Sequence, residues 1–478
     1  MKLRKLQLTS PYLSLDKLCF AEVKPQPLNH AHLIHANKDV AKLIGLDKDE
    51  LKSEEFVKFV NGAMIVENSK PYAMCYAGHQ FGHFVPRLGD GRAINLGQVN
   101  GLNLQLKGAG ETLYSRSGDG RAVLRSSIRE YLMSEAMHGL GIATTRALAI
   151  VGSKHRVFRE SWESGAIVLR VSPSWIRFGS FEYFFYEKKF DQLKELADFT
   201  IKESFSHLVD DKDATFKMFQ EVVEKTALMI AQWMGVGFNH GVMNTDNMSI
   251  AGLTIDYGPY AFLDEYDKDY ICNHTDYEGR YSFSNQPQVG YWNLAMLMTA
   301  LAPLVNIDRL KEILATYEGL FNKYHMEILR AKLGLVTEHP KDRELLGTLF
   351  EVLQNQRTDY TYFFRILSHY DGKREEILKT VLLKKPLEDW LDMYDMRLTH
   401  ESLSAEKRKE AMLKTNPKYV LKNYMLQEAI DKAKSGDFSA VEELMILAKN
   451  PYDEHPKFER FSKPTPDKYK NLKLSCSS

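Results

Sequence analysis

The sequence predicts an α+β protein of two lobes, in which a small strand-rich lobe precedes a larger helical lobe. Residues 76–185 are rich in glycine, and short apolar runs such as GRAINLGQV, LNLQLKGAG and GAIVLRVSP alternate with turn residues, as is typical of strands. From residue 186 onward, apolar residues recur at helical spacing. A protein-kinase-like bilobal fold has this order, although order alone does not establish function.

One helix is predicted inside the strand-rich lobe. The segment RAVLRSSIREYLMSEAMHGLG places Leu124, Ile128, Leu132 and Ala136 on one face. The two glycines at its end are a helix stop signal. The predicted lobe therefore consists of strands with a single packed helix.

The predicted boundaries divide the chain into four parts. Residues 1–75 form an N-terminal extension, 76–185 the strand-rich lobe and 186–449 the helical lobe. Residues 450–478 are rich in proline, lysine and aspartate, and we expect an irregular C-terminal tail there.

Composition excludes several classes of protein. The 63 lysine and arginine residues balance 63 aspartate and glutamate residues, so no global field attracts nucleic acid or a membrane surface. No apolar stretch approaches the roughly 18 residues of a membrane span, and no signal peptide is recognisable. The four cysteines are too scattered for a disulfide framework or a zinc site, and we interpret His79 and His83 as structural. We expect a cytoplasmic protein.

The segment HGVMNTDNMSIAGLTIDYGP, residues 240–259, is the most informative part of the chain. Two short apolar runs around a two-residue Ala-Gly loop predict a hairpin. In that register Asn247 faces Asp256, and hard oxygen ligands on adjacent strands suit Mg²⁺ with a nucleotide. The alternative is an exposed polar hairpin base.

The same segment has the spacing of a kinase catalytic loop. Asn247 falls on the metal-binding asparagine, and Asp256 begins Asp-Tyr-Gly where kinases have Asp-Phe-Gly. The catalytic aspartate position, however, holds Val242, which cannot deprotonate a hydroxyl. Asp246 is the nearest carboxylate that could replace it.

The strand-rich lobe supplies candidate phosphate ligands. In LNLQLK, Lys107 lies on the polar face of the strand, where kinases keep their phosphate lysine, although a solvated lysine is the alternative. Glu130 in the predicted helix is available to pair with it, and Glu135 competes. Arg170 and Arg177 are placed to reach a triphosphate or to form surface ion pairs.

Two Gly-Asp-Gly-Arg-Ala repeats, at 89–93 and 118–122, bracket the lysine strand. Glycine lets backbone amides approach a phosphate closely, and arginine offers a forked donor. Two such loops around one lysine favour a nucleotide site more than one loop would.

Taken together, YAGHQFGHF, LGDGRA, LQLKGAGETLYSRSGDGRAVLRSSIRE, TTRALAIV, HGVMNTDNMS and TIDYGP resemble the selenoprotein O family. The resemblance is most specific over residues 70–300. It implies a kinase-like fold that binds ATP in a flipped orientation and transfers AMP to serine, threonine or tyrosine hydroxyls of protein substrates.

The resemblance also implies roles for individual residues. Lys107 and Glu130 would form an ion pair, Asn247 and Asp256 would hold Mg²⁺ or Mn²⁺, and Asp246 would accept a proton. The implied ATP site consists of Gly89, Gly91, Arg92, Lys107, Asp119, Gly120, Arg170, Arg177 and Asp256.

Alternative functions stay open at this point. UMP transfer from UTP is chemically equivalent up to base selection. A phosphotransferase on the same fold and a non-catalytic nucleotide-binding scaffold are the other two, and the second would explain the absent catalytic aspartate. ATP and protein substrates are the expected partners, and a monomer is compatible with the sequence.

The last expectation concerns redox control. Cys476 lies in the polar tail, and proteins of the resembled family carry selenocysteine or cysteine near this terminus. Cys272, sixteen residues beyond Asp256, is the expected disulfide partner. The alternative is two unrelated reduced thiols.

Overall fold

The computed structural model describes residues 1–470 and Leu472, so Cys476 lies outside the described residues. The strands are β1 (Phe20–Glu22), β2 (His32–Ala36), β3 (Tyr72–Met74), β4 (Gly78–Gln80), β5 (His83–Val85), β6 (Ala93–Val99), β7 (Leu102–Lys107), β8 (Ala122–Val123), β9 (Arg146–Phe158), β10 (Trp162–Ser172), β11 (Phe238–Asn239) and β12 (Ala261–Phe262). Eight of them form one antiparallel sheet in the order β1-β3-β6-β7-β10-β9-β2, with β8 paired to β10.

Most of the remaining regular structure is helical. The α-helices are α1 (Lys38–Leu43), α2 (Glu54–Val60), α3 (Leu124–Gly139), α4 (Phe178–Tyr186), α5 (Phe190–Ser204), α6 (Ala214–Gly235), α7 (Gln286–Leu301), α8 (Ile307–Leu314), α9 (Tyr317–Lys332), α10 (Asp342–Gln356), α11 (Tyr360–Leu367), α12 (Glu375–Leu378), α13 (Lys384–Leu398), α14 (Ala405–Thr415), α15 (Asn423–Lys434) and α16 (Ser439–Lys449). The α+β class, with the sheet in the N-terminal part and helices in the C-terminal part, is confirmed. Within residues 1–470 no helix is long and apolar enough to cross a membrane.

A tight turn fixes the strand that carries Lys107. Asn100 and Gly101 both have positive φ, 51° and 74°, and they connect Val99 to its partner Leu102. Asn-Gly is the preferred pair for such a two-residue hairpin turn, because both positions need a left-handed backbone. The register that follows opposes Lys107 to Ala93 on one side and to Val168 on the other.

Helices cover both faces of the sheet. Ile128 and Leu132 of α3 pack in one apolar core with β9 and β10, and this core continues into the helical part of the chain. On the other face, Phe56 and Phe59 of α2 pack with Leu104 of β7. A third apolar core lies among α9 to α13.

The predicted N-terminal extension, residues 1–75, contributes strands to the main sheet and helices that cover it. β1, β2 and β3 pair within the main sheet, and α1 and α2 cover its second face. The apolar side chains of β7 on that face would be exposed to water without them. The first 75 residues are therefore part of the same packed unit as the sheet.

The C-terminal helix α16 contacts the strand-rich part of the chain. Helix α16 packs on α3, where Gly139 lies against the carbonyl of Ala448 so closely that a Cβ would clash with it. Lys449 Nζ lies 2.6 Å from Asp39 Oδ2. The tail contains 3-10 turns at Pro456–Ser462 and Asp467–Tyr469, and the ring of Phe461 is buried.

Candidate functional site

A cavity of about 900 Å³ opens beside the end of β7. Strands β7 and β10, helix α3 and the loops around residues 89–92, 114–121 and 242–259 line it. The predicted site residues that line it are Gly89, Gly91, Arg92, Lys107, Asp119, Gly120, Glu130, Arg170, Arg177, Asp246, Asn247 and Asp256.

Lys107 joins the sheet to helix α3 inside this cavity. Its Nζ lies 2.7 Å from Glu130 Oε2 and 3.5 Å from Asp256 Oδ1. The competing partner, Glu135, instead holds Arg146, whose Nε lies 2.7 Å from Glu135 Oε1. The two glutamates are five residues apart, about 1.4 turns, so they lie on different faces of α3 and only Glu130 faces Lys107.

Two buried arginines complete the charged cluster. Arg170 Nη1 lies 2.7 Å from both Glu130 Oε1 and Asp256 Oδ1. Arg177 Nη1 donates to Asp256 Oδ2 and, at 2.6 Å, to the carbonyl of Asp246. Each arginine is 2% exposed, so neither forms the surface ion pair considered above.

Aromatic faces hold the two guanidinium groups in place. The Arg170 guanidinium lies 4.6 Å from the ring centroid of Trp175, and that of Arg177 lies 4.7 Å from the ring centroid of Tyr76. Stacking of this kind suits arginine better than lysine, because the guanidinium is planar and weakly hydrated. The cluster is therefore preorganised before any ligand arrives.

The three cations keep the two carboxylates ionised despite burial. Burial raises the pKa of Asp256, but Arg177, Lys107 and Arg170 outweigh it and hold that pKa well below its ordinary value. Glu130 behaves in the same way, with Lys107 and Arg170 lowering its pKa. Burial lowers the pKa of Lys107. Asp256 is thus an anion at neutral pH, as a metal ligand must be.

The predicted hairpin around the Ala-Gly loop is wrong, although Asn247 and Asp256 do reach the same cavity. Ser249 pairs with Arg177, and Thr254 forms a parallel bridge with Thr144. Each run is paired by a different segment of the chain, so neither is free for the other. Backbone hydrogen bonds with neighbouring segments replaced the local pairing that the sequence favoured.

The oxygen ligands present fit Mg²⁺ or Mn²⁺. Asn247 Nδ2 donates to the carbonyl of Val242 at 3.0 Å, which leaves its amide oxygen as the available ligand. Asp256 has a positive φ of 56°, an unusual backbone that turns its carboxylate back toward the cations. The described residues contain no group of three or more histidine, cysteine or acidic side chains that could hold a metal ion. Phosphate and water would complete the coordination, as is common for Mg²⁺.

The Asp246 carboxylate lies next to this site and is closely surrounded by Gln80 and Gly78. Its Oδ2 accepts from Gln80 Nε2 at 3.3 Å, whereas its buried Oδ1 has no partner in the part of the chain that the structure describes. A Cβ on Gly78 would lie 2.8 Å from Oδ1. Burial, opposed by Arg177, raises the pKa of Asp246 to about 7. An acceptor with a pKa near 7 and a free oxygen suits general-base chemistry.

A buried network behind Asp246 was not predicted from the sequence. Glu182 of α4 accepts from the Thr245 hydroxyl and lies 2.7 Å from His79 Nδ1. His79 N donates to Thr245 Oγ1 at 2.7 Å. The sequence signal for this network is the segment GHQFGH, whose His79 is interpreted above as structural. His79 supports the turn at Thr245–Asn247, which contains Asp246.

The glycine loops are used for close packing at the cavity wall. Gly89 has a φ of 68°, and a Cβ there would overlap the ring of Tyr114. Gly120 has a φ of 63° and packs on the backbone of Gly110 in the same way. Between the first two loop glycines, Asp90 is buried and accepts from Met74 N at 3.1 Å. This aspartate was not predicted as a site residue, and it fixes the loop.

The other predicted residues lie at the rim of the cavity or near residues 239–242. Arg92 is exposed on the cavity wall, and Asp119 forms a 2.8 Å ion pair with Arg159. Cys272 is buried, and its Sγ donates to the carbonyl of Asn239 at 3.7 Å. Its predicted disulfide partner, Cys476, lies outside the described residues.

Comparison with known proteins identifies the family. The model of the family "Protein adenylyltransferase SelO" matches residues 2–449. The chain belongs to the SelO family. Proteins named protein nucleotidyltransferase YdiU are similar to it along their whole length: that of Aliivibrio salmonicida is 46% identical over 479 residues, covering 99% of both chains.

Two further relatives agree with this assignment. The YdiU protein of Myxococcus xanthus is 46% identical over 485 residues, covering 100% of this chain and 99% of its own. The YdiU protein of Vibrio cholerae is 46% identical, with 99% of both chains covered. The resemblance stated from the motifs is thereby confirmed.

Proposed function

We propose that this member of the SelO family transfers the AMP group of ATP to hydroxyl side chains of protein substrates and releases pyrophosphate. The observation that carries the proposal is the cluster of Lys107, Arg170 and Arg177 around Asp256 at the cavity wall. Transfer of AMP builds negative charge on the leaving β and γ phosphates, so cations must be fixed where those phosphates lie. Arg170 and Arg177 are buried and preorganised for this task.

A protein-kinase-like scaffold is part of the proposal. A strand lysine paired with a helix glutamate is the arrangement that kinases use for phosphates, and here Lys107 and Glu130 are 2.7 Å apart. Val242 stands where kinases have the catalytic aspartate. A kinase mechanism would need a carboxylate at that position, whereas adenylyl transfer with Asp246 as the acceptor does not.

The roles of the residues follow from their positions. The substrate hydroxyl oxygen bonds to the α-phosphorus, its proton passes to Asp246, and the bond from the α-phosphorus to the bridging oxygen breaks, so that pyrophosphate leaves. Asn247 and Asp256 would hold Mg²⁺ or Mn²⁺, which neutralises phosphate charge when bound. Lys107 and the two arginines orient the leaving group and stabilise its charge.

Parallel incubation with α-labelled and γ-labelled ATP tests the reaction type. We expect label on protein from the α form alone, with pyrophosphate as the second product. Label from the γ form alone would establish a phosphotransferase, and label from neither, with ATP still bound, would establish a scaffold. Unlabelled UTP added to the α-labelled reaction measures base preference.

Asp246→Asn separates the proton acceptor from the ligands. The variant should lower the transfer rate about 100-fold or more while changing ATP affinity less than threefold, because a general base acts in the transition state. A matched control is Asp210→Asn, which changes an exposed carboxylate on the helical side of the chain. Loss of ATP binding in Asp246→Asn would instead make Asp246 a ligand.

Redox control through Cys272 and Cys476 is a further element of the proposal. Cys272 packs against Gly241, next to the cavity residue Val242, so a covalent bond at its sulfur would act close to the segment that contains Asp246. Because the thiol is 6% exposed, oxidation requires this segment to open first. Non-reducing peptide mapping of oxidised protein should find a 272–476 peptide. If it does not, and Cys476→Ser responds to reductant like the wild type, the disulfide is excluded.

A further inference from the structure

A long β-hairpin reaches the mouth of the cavity. β9 and β10 have 13 and 11 residues, and Phe158 pairs with Trp162 across the three-residue tip. Both rings are 59% exposed, with centroids 5.4 Å apart in an edge-to-face arrangement. Two large aromatic rings on an exposed tip leave apolar surface in water, which calls for a ligand or partner.

The tip is tied to the predicted nucleotide loop. Arg159 donates from Nη1 and Nη2 to the two oxygens of Asp119 at 2.9 and 2.8 Å, and from Nη2 to the carbonyl of Arg121 at 2.8 Å. A bidentate pair of this kind fixes orientation as well as distance. Phe158 and Arg159 both line the cavity. The tip is therefore a wall of the cavity mouth.

The positions of the cations indicate which end of the cavity binds the phosphates of a nucleotide and which end is left for its base. Lys107, Arg170 and Arg177 attract the phosphates to the wall formed by β7 and β10. Val168, which pairs with Lys107, is six residues from Trp162 along β10, or at most about 20 Å at the rise of a strand. Lys107 and Phe158 line the same cavity, so a ligand that extends along it from the cations meets the tip. The base then lies near the tip.

Phe158 is the aromatic ring best placed to receive that base. Of the other rings that line the cavity within residues 1–470, Tyr76, Tyr114 and Tyr257 are buried. Phe81 is half-buried, packs against Tyr281 with ring centroids 5.2 Å apart, and adjoins Gln80, the partner of Asp246. Phe81 is thus on the side where the hydroxyl substrate must enter.

We propose that Phe158, supported by Trp162, is the stacking platform for the nucleobase of the bound nucleoside triphosphate. This inference rests on the proposed function. Stacking on an aromatic ring accepts every base, but it is stronger for bases with a larger π surface. The platform therefore favours a purine over a pyrimidine, and it provides this chain with a physical basis for preferring ATP to UTP.

Equilibrium binding of ATP and of inorganic tripolyphosphate, each with Mg²⁺, tests the platform. Phe158→Ala should weaken ATP binding about tenfold, in the range measured for base stacking, and leave tripolyphosphate binding within twofold. Phe158→Tyr should restore ATP binding. The matched control is Phe190→Ala, which removes another exposed phenylalanine, at the start of α5, and should change neither ligand.

The preference for ATP over UTP should fall in the same Phe158→Ala variant. Unchanged ATP binding in Phe158→Ala would overturn the inference, as would an equal loss of ATP and tripolyphosphate, which would assign the effect to the phosphate end. Unchanged ATP binding with a raised KM for the protein substrate would assign the rings to that substrate instead. Failure of the wild type to bind ATP would refute the proposed function itself.

Discussion

Two buried lysines, in two regions of this molecule, have very different surroundings. Lys107, at the end of β7, has Glu130 2.7 Å and Asp256 3.5 Å away and lines the cavity. Lys332, at the end of α9, is 2% exposed and has its Nζ 4.2 Å from the ring centroid of Phe364. Within the described residues it has no acidic partner.

The contrast teaches what distinguishes a site from a buried charge. Burial lowers the pKa of both lysines, that of Lys332 to about 7. Around Lys107, carboxylates offset the cost of burying its charge. Buried arginines lie next to it, and it lines a cavity. The Lys332 ammonium instead lies 5.1 and 4.2 Å from the ring centroids of Tyr360 and Phe364. Burial of a cation is therefore no evidence of function unless paired anions and an opening accompany it.

The largest expected effect is that of Lys107→Met. Transfer should fall by a factor of about 1000 or more, because a fixed cation at the phosphates acts in the transition state. Glu130 keeps Arg170 as a partner, so the fold should persist. α-Labelled ATP measures the loss, and Lys332→Met is the matched control with activity near that of the wild type. If both variants lose transfer equally, the comparison of the two lysines fails.

Glu182→Gln tests whether the hydrogen-bond network behind Asp246 contributes to the site around Lys107. Glu182 holds Thr245 and His79 behind Asp246, so its loss should lower kcat about 30-fold with the KM for ATP within twofold. The control is Glu203→Gln, a half-buried glutamate, which accepts from Asn103 Nδ2 at 3.2 Å and should leave kcat unchanged. A change in KM alone would place the network in nucleotide binding.

Lys332→Met should stabilise the protein. The folded state, in which burial lowers the pKa of Lys332 to about 7, binds fewer protons than the unfolded state between about pH 7 and the ordinary lysine pKa of 10.5. Wild-type stability therefore rises with pH across that interval. The variant should gain about 2 kcal/mol at pH 7 and progressively less toward pH 10. Denaturant unfolding at both pH values measures this, and a gain that grows with pH would contradict it.

Arg159→Ala should have the smallest effect, because its partner Asp119 has a side chain that is 44% exposed. Exposed ion pairs contribute about 1 kcal/mol or less to stability. ATP affinity should fall two- to threefold as the nucleotide loop loosens. Arg309→Ala removes another exposed bidentate pair, with Asp213, and should match the change in stability without the change in affinity. If both variants bind ATP with equal affinity, the contact between the hairpin tip and the nucleotide loop does not affect ATP binding.

Residue types and their spacing were enough to predict the class of the fold and most residues of the candidate site. Periodicity alone indicated the strand of Lys107 and the helix of Glu130, since both are local patterns. The spacing around Val242 and Asn247 showed that a catalytic carboxylate was missing and that Asp246 was its nearest replacement. These inferences needed only residue type and separation along the chain.

Tertiary structure alone decided which of these residues meet. It paired Lys107 with Glu130 and gave Glu135 to Arg146, and it separated the predicted hairpin because other segments supplied better backbone partners. The network of Glu182 behind Asp246 joins residues far apart in the chain. Such contacts depend on how elements cross and pack, and a single sequence contains no local pattern that records them.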